Sequence, residues 1–318
     1  MNSISINSGA SGAFSGFIVR WYTYSGAATD GSSNTFPSDD VWSKLASTEN
    51  GASPRLSFAI GILSWKGYDS LENSLYSYNK YGLSNMTKHK FVCLPEYEEE
   101  GIKIVKKYNY KPILIKKNLG ILGGFKKLAE EMPKGPILLL ENDLELVENK
   151  KETYSQLQKS INLLNEQSLI QVRLRSRRSP GEPFVGLSKY KNYWSDNLIS
   201  RAKRFFRPFK AYRLIGTSTY YHEEPDKIHP DIVKKIYKGF YLVPSSVLTW
   251  ANLAILVDRD VYLEKIIKKA EQTRSKKHIN GFKNIEIELN NSWWRNNKFK
   301  ILITPGLFKH NRLSHRGY

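Results

Sequence analysis

From residue 55 onward the chain alternates short apolar runs with stretches whose apolar residues return every three or four positions. Residues 56–64 form a run suited to a buried strand, and Asp69-Ser-Leu-Glu72 then offers a helix N-cap with a carboxylate three residues on. Leu71, Leu75 and Tyr78 recur at helical spacing, and Gly82 stands where a C-terminal cap is expected. Residues 89–94 read as the next strand. Ile102, Val105 and Tyr108 share one helical face within 98–108, Pro112-Ile-Leu-Ile115 is a third strand, and Leu122, Phe125, Ala129 and Met132 mark a further helix. Residues 135–140 close the series as a fourth strand. Four strands separated by three helical segments imply βαβ units and a mainly parallel sheet. Such a sheet binds ligands at the carboxyl ends of its strands.

The fourth run leads straight into Glu141-Asn142-Asp143, so two carboxylates at alternate positions emerge where an open α/β sheet presents its ligand site. Mn2+ or Mg2+ takes oxygen ligands and bridges one or two protein carboxylates to substrate phosphates, which suits a nucleotide diphosphate leaving group. The same two acids also suit the plain polar end of a strand. Gly123-Gly124 is no phosphate loop, because Gly-x-x-x-x-Gly-Lys is absent; the pair reads as close helix packing.

Ile60-Gly-Ile-Leu-Ser-Trp65, with Ser70-Leu-Glu-Asn-Ser-Leu-Tyr-Ser-Tyr78 and Gly82-Leu83, resembles the opening strand and helix of family 2 glycosyltransferases. Asn118-Leu-Gly120 resembles their Asn-x-Gly segment. Leu138-Leu-Leu-Glu-Asn-Asp143 resembles their Asp-x-Asp strand, with Glu in place of the first Asp. Ala251-Asn-Leu-Ala-Ile-Leu-Val-Asp-Arg259, Ile285-Glu-Ile-Glu-Leu289, Phe299-Lys-Ile-Leu-Ile-Thr-Pro305 and Lys309-His310 continue the likeness in the same order. It covers most of 56–148 and 247–310.

The resemblance implies an α/β fold of the GT-A (Rossmann-like) type, a mainly parallel central sheet flanked by helices. It implies inverting, metal-dependent transfer of a sugar from a nucleotide-diphosphate sugar to an acceptor hydroxyl, on a glycan or a lipid-linked acceptor. Asp143, Glu141 and His310 then belong to the Mn2+ or Mg2+ site, with His315 a second histidine candidate. Glu286 takes the place of the catalytic base and Glu288 that of the second acid, although both also suit a solvated helix start. On a helix these two point about 200° apart, so one faces the acceptor and the other solvent or a basic neighbour. Ser64, Trp65 and Lys66 at the end of the first strand should lie near the nucleotide, with Trp65 over a base or sugar face or else in the core. Asn118 is placed to bind the nucleotide or to start a turn.

Composition changes near Pro54: residues 1–53 hold 18 Ser or Gly but only two basic residues, Arg20 and Lys44. That divides a Ser/Gly-rich extension, with one aromatic-rich strand expected over 14–24, from a transferase domain at 54–318. Within the domain, 54–148 is the nucleotide-sugar half and 149–318 the acceptor half, with a basic insertion at about 171–213.

The net charge of +19 favours polyanionic partners. The single cysteine, Cys93, excludes an internal disulfide and a thiolate metal site, which makes the cytoplasm the default compartment. No apolar stretch reaches the length of a membrane span, and the start of the chain does not read as a signal peptide; a soluble or peripheral membrane protein is expected.

Between 171 and 213 stand 12 Lys or Arg and two acids, interleaved with Tyr190, Tyr193, Trp194, Phe205, Phe206, Phe209 and Tyr212. Gln171-Val-Arg-Leu-Arg175 alternates like a half-buried strand, with Arg173 and Arg175 on one side and available to phosphates. Residues 199–213 mix cations and aromatics in the manner of a segment on an anionic membrane surface. A solvated insertion with its aromatics packed on the domain is the plainer expectation. Nucleic-acid binding through this segment is a rival function, though no RNP, zinc-finger or helix-turn-helix pattern accompanies it. A sugar-phosphate nucleotidyltransferase, releasing pyrophosphate, is another.

Overall fold

The structure is a computed structural model that describes residues 55–274 and 278–311. The extension at 1–53, its expected strand and His315 lie outside the described residues. The first half contains β1 (Ala59–Leu63), β2 (His89–Pro95), β3 (Lys111–Ile115), β4 (Pro136–Glu141) and β5 (Leu144–Leu146). The second contains β6 (Gln171–Arg175), β7 (Gly181–Glu182), β8 (Lys234–Tyr237), β9 (Phe240–Pro244), β10 (Ile255–Asp258) and β11 (Lys300–Asn311).

One sheet runs through both halves in the order β3-β2-β1-β4-β10-β6-β11-β9-β8, with β5 and β7 attached to β11. β1 to β4 are mutually parallel, as the apolar rhythm predicts. β10 runs against both β4 and β6, so the architecture is a mixed α/β sheet whose strands mostly share one direction.

Two apolar layers sandwich the sheet. In β1, Ile60 and Ile62 join Leu71, Leu75 and Tyr78 of the helix Tyr68–Lys80 on one face. Ala59 and Leu63 join Leu128, Ala129 and Met132 beside the helix Gly120–Glu131 on the other. Burial on both faces is why these strands read as continuous apolar runs rather than alternations. A Cβ on Gly61 would lie 2.6 Å from Met132 Sδ, and one on Gly124 2.7 Å from Leu63 Cδ1, so both glycines let that helix approach the sheet closely. Cys93 is buried in this layer, and burial pushes its thiol up to about 12, which leaves it inert at neutral pH.

Two local expectations are corrected. The helix Tyr68–Lys80 is preceded by Gly67 in the left-handed region, φ 67°, rather than capped by Asp69, which lies in its first turn. The Asn142 amide donates to the carbonyls of Lys66 (3.2 Å) and Gly67 (3.1 Å), holding the chain in this turn. β6 is not half-buried: all five of its residues are enclosed, because Val172 and Leu174 join one apolar layer while the chain at 180–184 and Thr249 cover Arg173 and Arg175 on the other face. Arg173 and Arg175 are therefore interior arginines.

β11 pairs in parallel with β6 through Ile303, loses register, and resumes with Phe308 opposite Arg175. Gly306 occupies the break with φ 91°, where a Cβ would stand 2.2 Å from the Arg175 carbonyl oxygen. Its N–H is held by Gln156 Oε1 and Thr304 Oγ1, each at 3.0 Å. Gly306→Ala is expected to cost at least about 2 kcal/mol, from left-handed strain plus a clash with backbone that has no rotamer to relax into. Urea unfolding measures this; an unchanged midpoint would refute it.

Residues 185–228 leave the sheet as short helices: Val185–Trp194, Leu198–Phe206, Pro208–Tyr212, a 3-10 turn Ile215–Tyr220, and Pro225–Ile228. The buried Tyr190 hydroxyl joins them by meeting His222 Nε2 at 3.0 Å and His229 Nε2 at 3.2 Å, while Trp194 stands edge-on to His229. Burial, and to a lesser degree the neighbouring His222, lowers His229 to about 4. The unfolded chain takes a proton here near pH 6.5. Between pH 6.5 and about 4 it therefore holds more protons than the fold, and stability falls as pH falls through that window. The loss should approach about 3 kcal/mol by pH 4. A denaturant midpoint that declines from pH 7 to 5, less steeply in His229→Asn, is the expected result; identical slopes would exclude this residue.

Candidate functional site

The carboxyl ends of β1, β3 and β4 surround a cavity of about 370 Å³, within the usual range for small-molecule sites. Trp65, Lys66, Asn118, Glu141 and Asp143 line it, as does the 279–284 loop on the opposite wall. Each lining group is held by the fold. The Trp65 indole donates to Glu96 Oε2 at 2.7 Å, which leaves its ring beside the cavity. Lys66 takes φ 53° at the turn and is half-exposed, with Nζ 3.9 Å from Glu98. Ser64 is buried, its N–H on the Cys93 carbonyl and its hydroxyl 3.3 Å from the Lys66 carbonyl; it shapes the turn and does not line the cavity.

Asn118 Oδ1 accepts from the Gly120 N–H at 2.8 Å, closing the turn into the helix Gly120–Glu131. Gly120 has φ 65°, and a Cβ there would fall 2.4 Å from Phe282 Cβ. Only a glycine lets the 279–284 loop, closed by the Ile279–Phe282 bridge, pack against this turn. Sequence reasoning missed this wall, since Ile279, Phe282 and Asn284 show no periodicity there. The signal was the Asn280-Gly281 pair, a hairpin-turn dipeptide.

Asp143 follows β4 and is nearly enclosed. Its Oδ2 meets His310 Nε2 at 3.0 Å, and His310 is equally enclosed on β11. Pairing of β5 with β11 sets His310 opposite Leu144, and the Asn311 N–H donates to the Asp143 carbonyl at 2.8 Å. Two residues 167 positions apart are thus registered by backbone. Nδ1 of His310 has no hydrogen-bond partner among the described residues; with the ring proton there, the Nε2 lone pair stands beside Asp143 Oδ2 and faces the same point.

The arginines of β6 serve this arrangement from beneath. Arg175 donates to the carbonyls of Pro180 (2.7 Å), Gly181 (2.8 Å) and Pro183 (3.2 Å), and its guanidinium lies 4.0 Å over Phe184. Pro180 in turn accepts from the His310 N–H. Arg173 donates to the Thr249 carbonyl. Burial lowers the pKa of both, with Tyr220 opposing, and Glu286 lends negative charge to Arg173. Instead of reaching outward to phosphates, these guanidinia are taken up by backbone carbonyls, because a cation inside a sheet needs acceptors.

Glu286 and Glu288 lie on the short helix Ile285–Leu289, capped by Asn284 Oδ1 on the Glu286 N–H at 2.8 Å. Asn284 lines the cavity, whereas Glu286 and Glu288 do not. Glu286 is half-buried, and its Oε1 accepts from the Asn252 N–H at 3.1 Å. Glu288 is fully enclosed and does not meet solvent.

Among the described residues no group of three or more His, Cys, Asp or Glu side chains is arranged to hold a metal ion. Asp143 and His310 supply two donors 3.0 Å apart. That is about the edge between adjacent ligands of an octahedral ion with bonds of roughly 2.1 Å. The pair fits a site that takes its remaining ligands from substrate oxygens and water.

No protein-family model and no curated protein matches the sequence. Solved structures of similar fold include S. aureus TarS 1–349, at 14% identity and TM-score 0.41 over 80% of this chain and 60% of that one. Another is the mannosyltransferase PcManGT from Pyrobaculum calidifontis in complex with GDP-Man and Mn2+, at 7% identity and TM-score 0.44 over 87% of this chain and 64% of that one. UDP-glucose pyrophosphorylase complexed with UDP-glucose is similar at 9% identity and TM-score 0.40, over 79% of this chain and 92% of that one. The chain spans less than two thirds of the TarS and mannosyltransferase chains.

Proposed function

We propose that the protein is a glycosyltransferase that moves a sugar from a nucleotide-diphosphate donor to an acceptor hydroxyl. The observation that carries this reading is the Asp143–His310 pair, whose Asp143 lines a strand-end cavity. Such a pair suits Mn2+ or Mg2+ bound jointly with a diphosphate, and the cavity provides Trp65 for an aromatic or sugar face and Asn118 and Glu141 for polar contacts. A bound divalent ion supplies charge neutralisation as the diphosphate departs.

In an inverting transfer, the Glu286 carboxylate takes the proton of the acceptor hydroxyl. The hydroxyl oxygen forms its bond to the anomeric carbon, the bond from that carbon to the phosphate oxygen breaks, and the diphosphate leaves with the electron pair. Glu286 is preferred to Glu288 because it is only half-buried and lies two residues from Asn284, which lines the cavity. Glu286 Oε1 accepts from the Asn252 N–H, and the positive Arg173 lies close enough to interact with it electrostatically. Glu288 is enclosed.

The test is a screen of nucleotide sugars with Mn2+ and Mg2+, reading the phosphate product. Release of a nucleoside diphosphate supports the assignment. Release of pyrophosphate from a nucleoside triphosphate and a sugar phosphate would replace it with nucleotidyl transfer, and inertness towards all donors with either ion would refute both.

A further inference from the structure

Among the described residues, every large apolar side chain more than two thirds exposed falls within a single stretch: Leu198, Ile199, Phe205, Phe206 and Phe209, at 67–81%. The helix Leu198–Phe206 is turned inside out. At about 100° per residue, Leu198, Ile199, Ala202, Phe205 and Phe206 occupy one sector of roughly 120°. That sector faces away from the protein. Arg201 and Lys203 flank it on either side. The polar side packs inward instead, where the buried Ser200 hydroxyl donates to the Asn192 carbonyl at 3.1 Å and Arg204 to the Tyr193 carbonyl at 2.6 Å. Phe209, Lys210, Tyr212 and Arg213 extend the exposed surface through the next helix. No carboxylate side chain occurs between Asp196 and Glu223.

We propose that this face docks on an anionic lipid bilayer, with the apolar stripe entering the headgroup boundary and the flanking cations on lipid phosphates. An apolar sector bordered by cations is the arrangement an interfacial helix needs, and neither component alone holds a protein stably to a membrane. A symmetric contact with a second copy would bring two sets of six cations together without an acid between them. Nucleic acid would be met by grooves that track a backbone, whereas these rings stand on an outward-facing helix. The docking stands independently of the transferase reading.

The experiment is sedimentation of the full chain with vesicles of phosphatidylcholine alone or containing about 30% phosphatidylglycerol at near-physiological salt. Binding at least about 10-fold stronger to the anionic vesicles is expected, as is a loss of at least about 10-fold in the triple variant Phe205→Ser, Phe206→Ser, Phe209→Ser. The charge variant Arg201→Gln, Lys203→Gln, Arg207→Gln should lose the preference for anionic lipid. All six side chains are outside the cavity, so circular dichroism and nucleotide-sugar turnover in solution should be unchanged. Equal binding by wild type and the triple variant, or no binding to anionic vesicles, overturns the proposal. So would an oligonucleotide complex or a dimer that depends on these phenylalanines while vesicles are ignored.

Discussion

Asp143→Asn should reduce metal-stimulated release of nucleoside diphosphate by at least about 1,000-fold while leaving the fold intact. The substitution keeps the side chain's size, and its amide can donate to the His310 Nε2 lone pair, so the 3.0 Å contact survives as a neutral hydrogen bond. What it removes is the negative charge that draws a divalent ion to an enclosed position. Trp65 and Asn118, the proposed nucleotide contacts, follow β1 and β3 rather than β4, so donor binding should weaken far less than turnover. The measurement is turnover at saturating donor across a Mn2+ titration, beside direct Mn2+ binding in the presence of nucleotide. His310→Ala should weaken Mn2+ binding in the same direction but less, since it removes a neutral ligand. Turnover unchanged in Asp143→Asn would remove this residue from the mechanism.

Glu286→Gln should lower kcat by roughly 100- to 10,000-fold with little change in donor affinity. Glutamine still accepts from the Asn252 N–H through its carbonyl oxygen, and Asn284 still caps the helix start. The local structure is thereby preserved while the proton acceptor is lost. A base contributes only when the acceptor is present, so slow hydrolysis of the donor by water should fall less than transfer. A variant that retains full transfer would reassign the base, and a variant with weakened Mn2+ binding would show that Glu286 acts on the donor side.

The first half of the fold was legible because β1, β2 and β4 are largely enclosed and, with the edge strand β3, leave short apolar runs, with glycines where helices press on the sheet. Gly67 was not, because its turn is held by the Asn142 amide, which comes from the distant turn after β4. The alternation of Arg173 and Arg175 imitates a half-exposed strand; it instead records two interior guanidinia whose acceptors are backbone carbonyls, which no side-chain pattern announces. Asp143 and His310 were readable as candidates through family resemblance, and the structure brings them into contact. The 279–284 wall was invisible because its contribution is set by the approach of Phe282 to Gly120, a long-range contact.

The position of β11 carries a consequence for how the protein is made. This last described strand lies in the interior of the sheet, between β6 and β9, and supplies pairing to β5 and β7 as well. Until residues 300–311 leave the ribosome, β6 and β9 each present an open edge, and the helical segment between them has no fixed base. Pairing across such sequence separations is slow, and unpaired edges invite association with other chains. The sheet of the second half is thus complete only once β11 has inserted between β6 and β9.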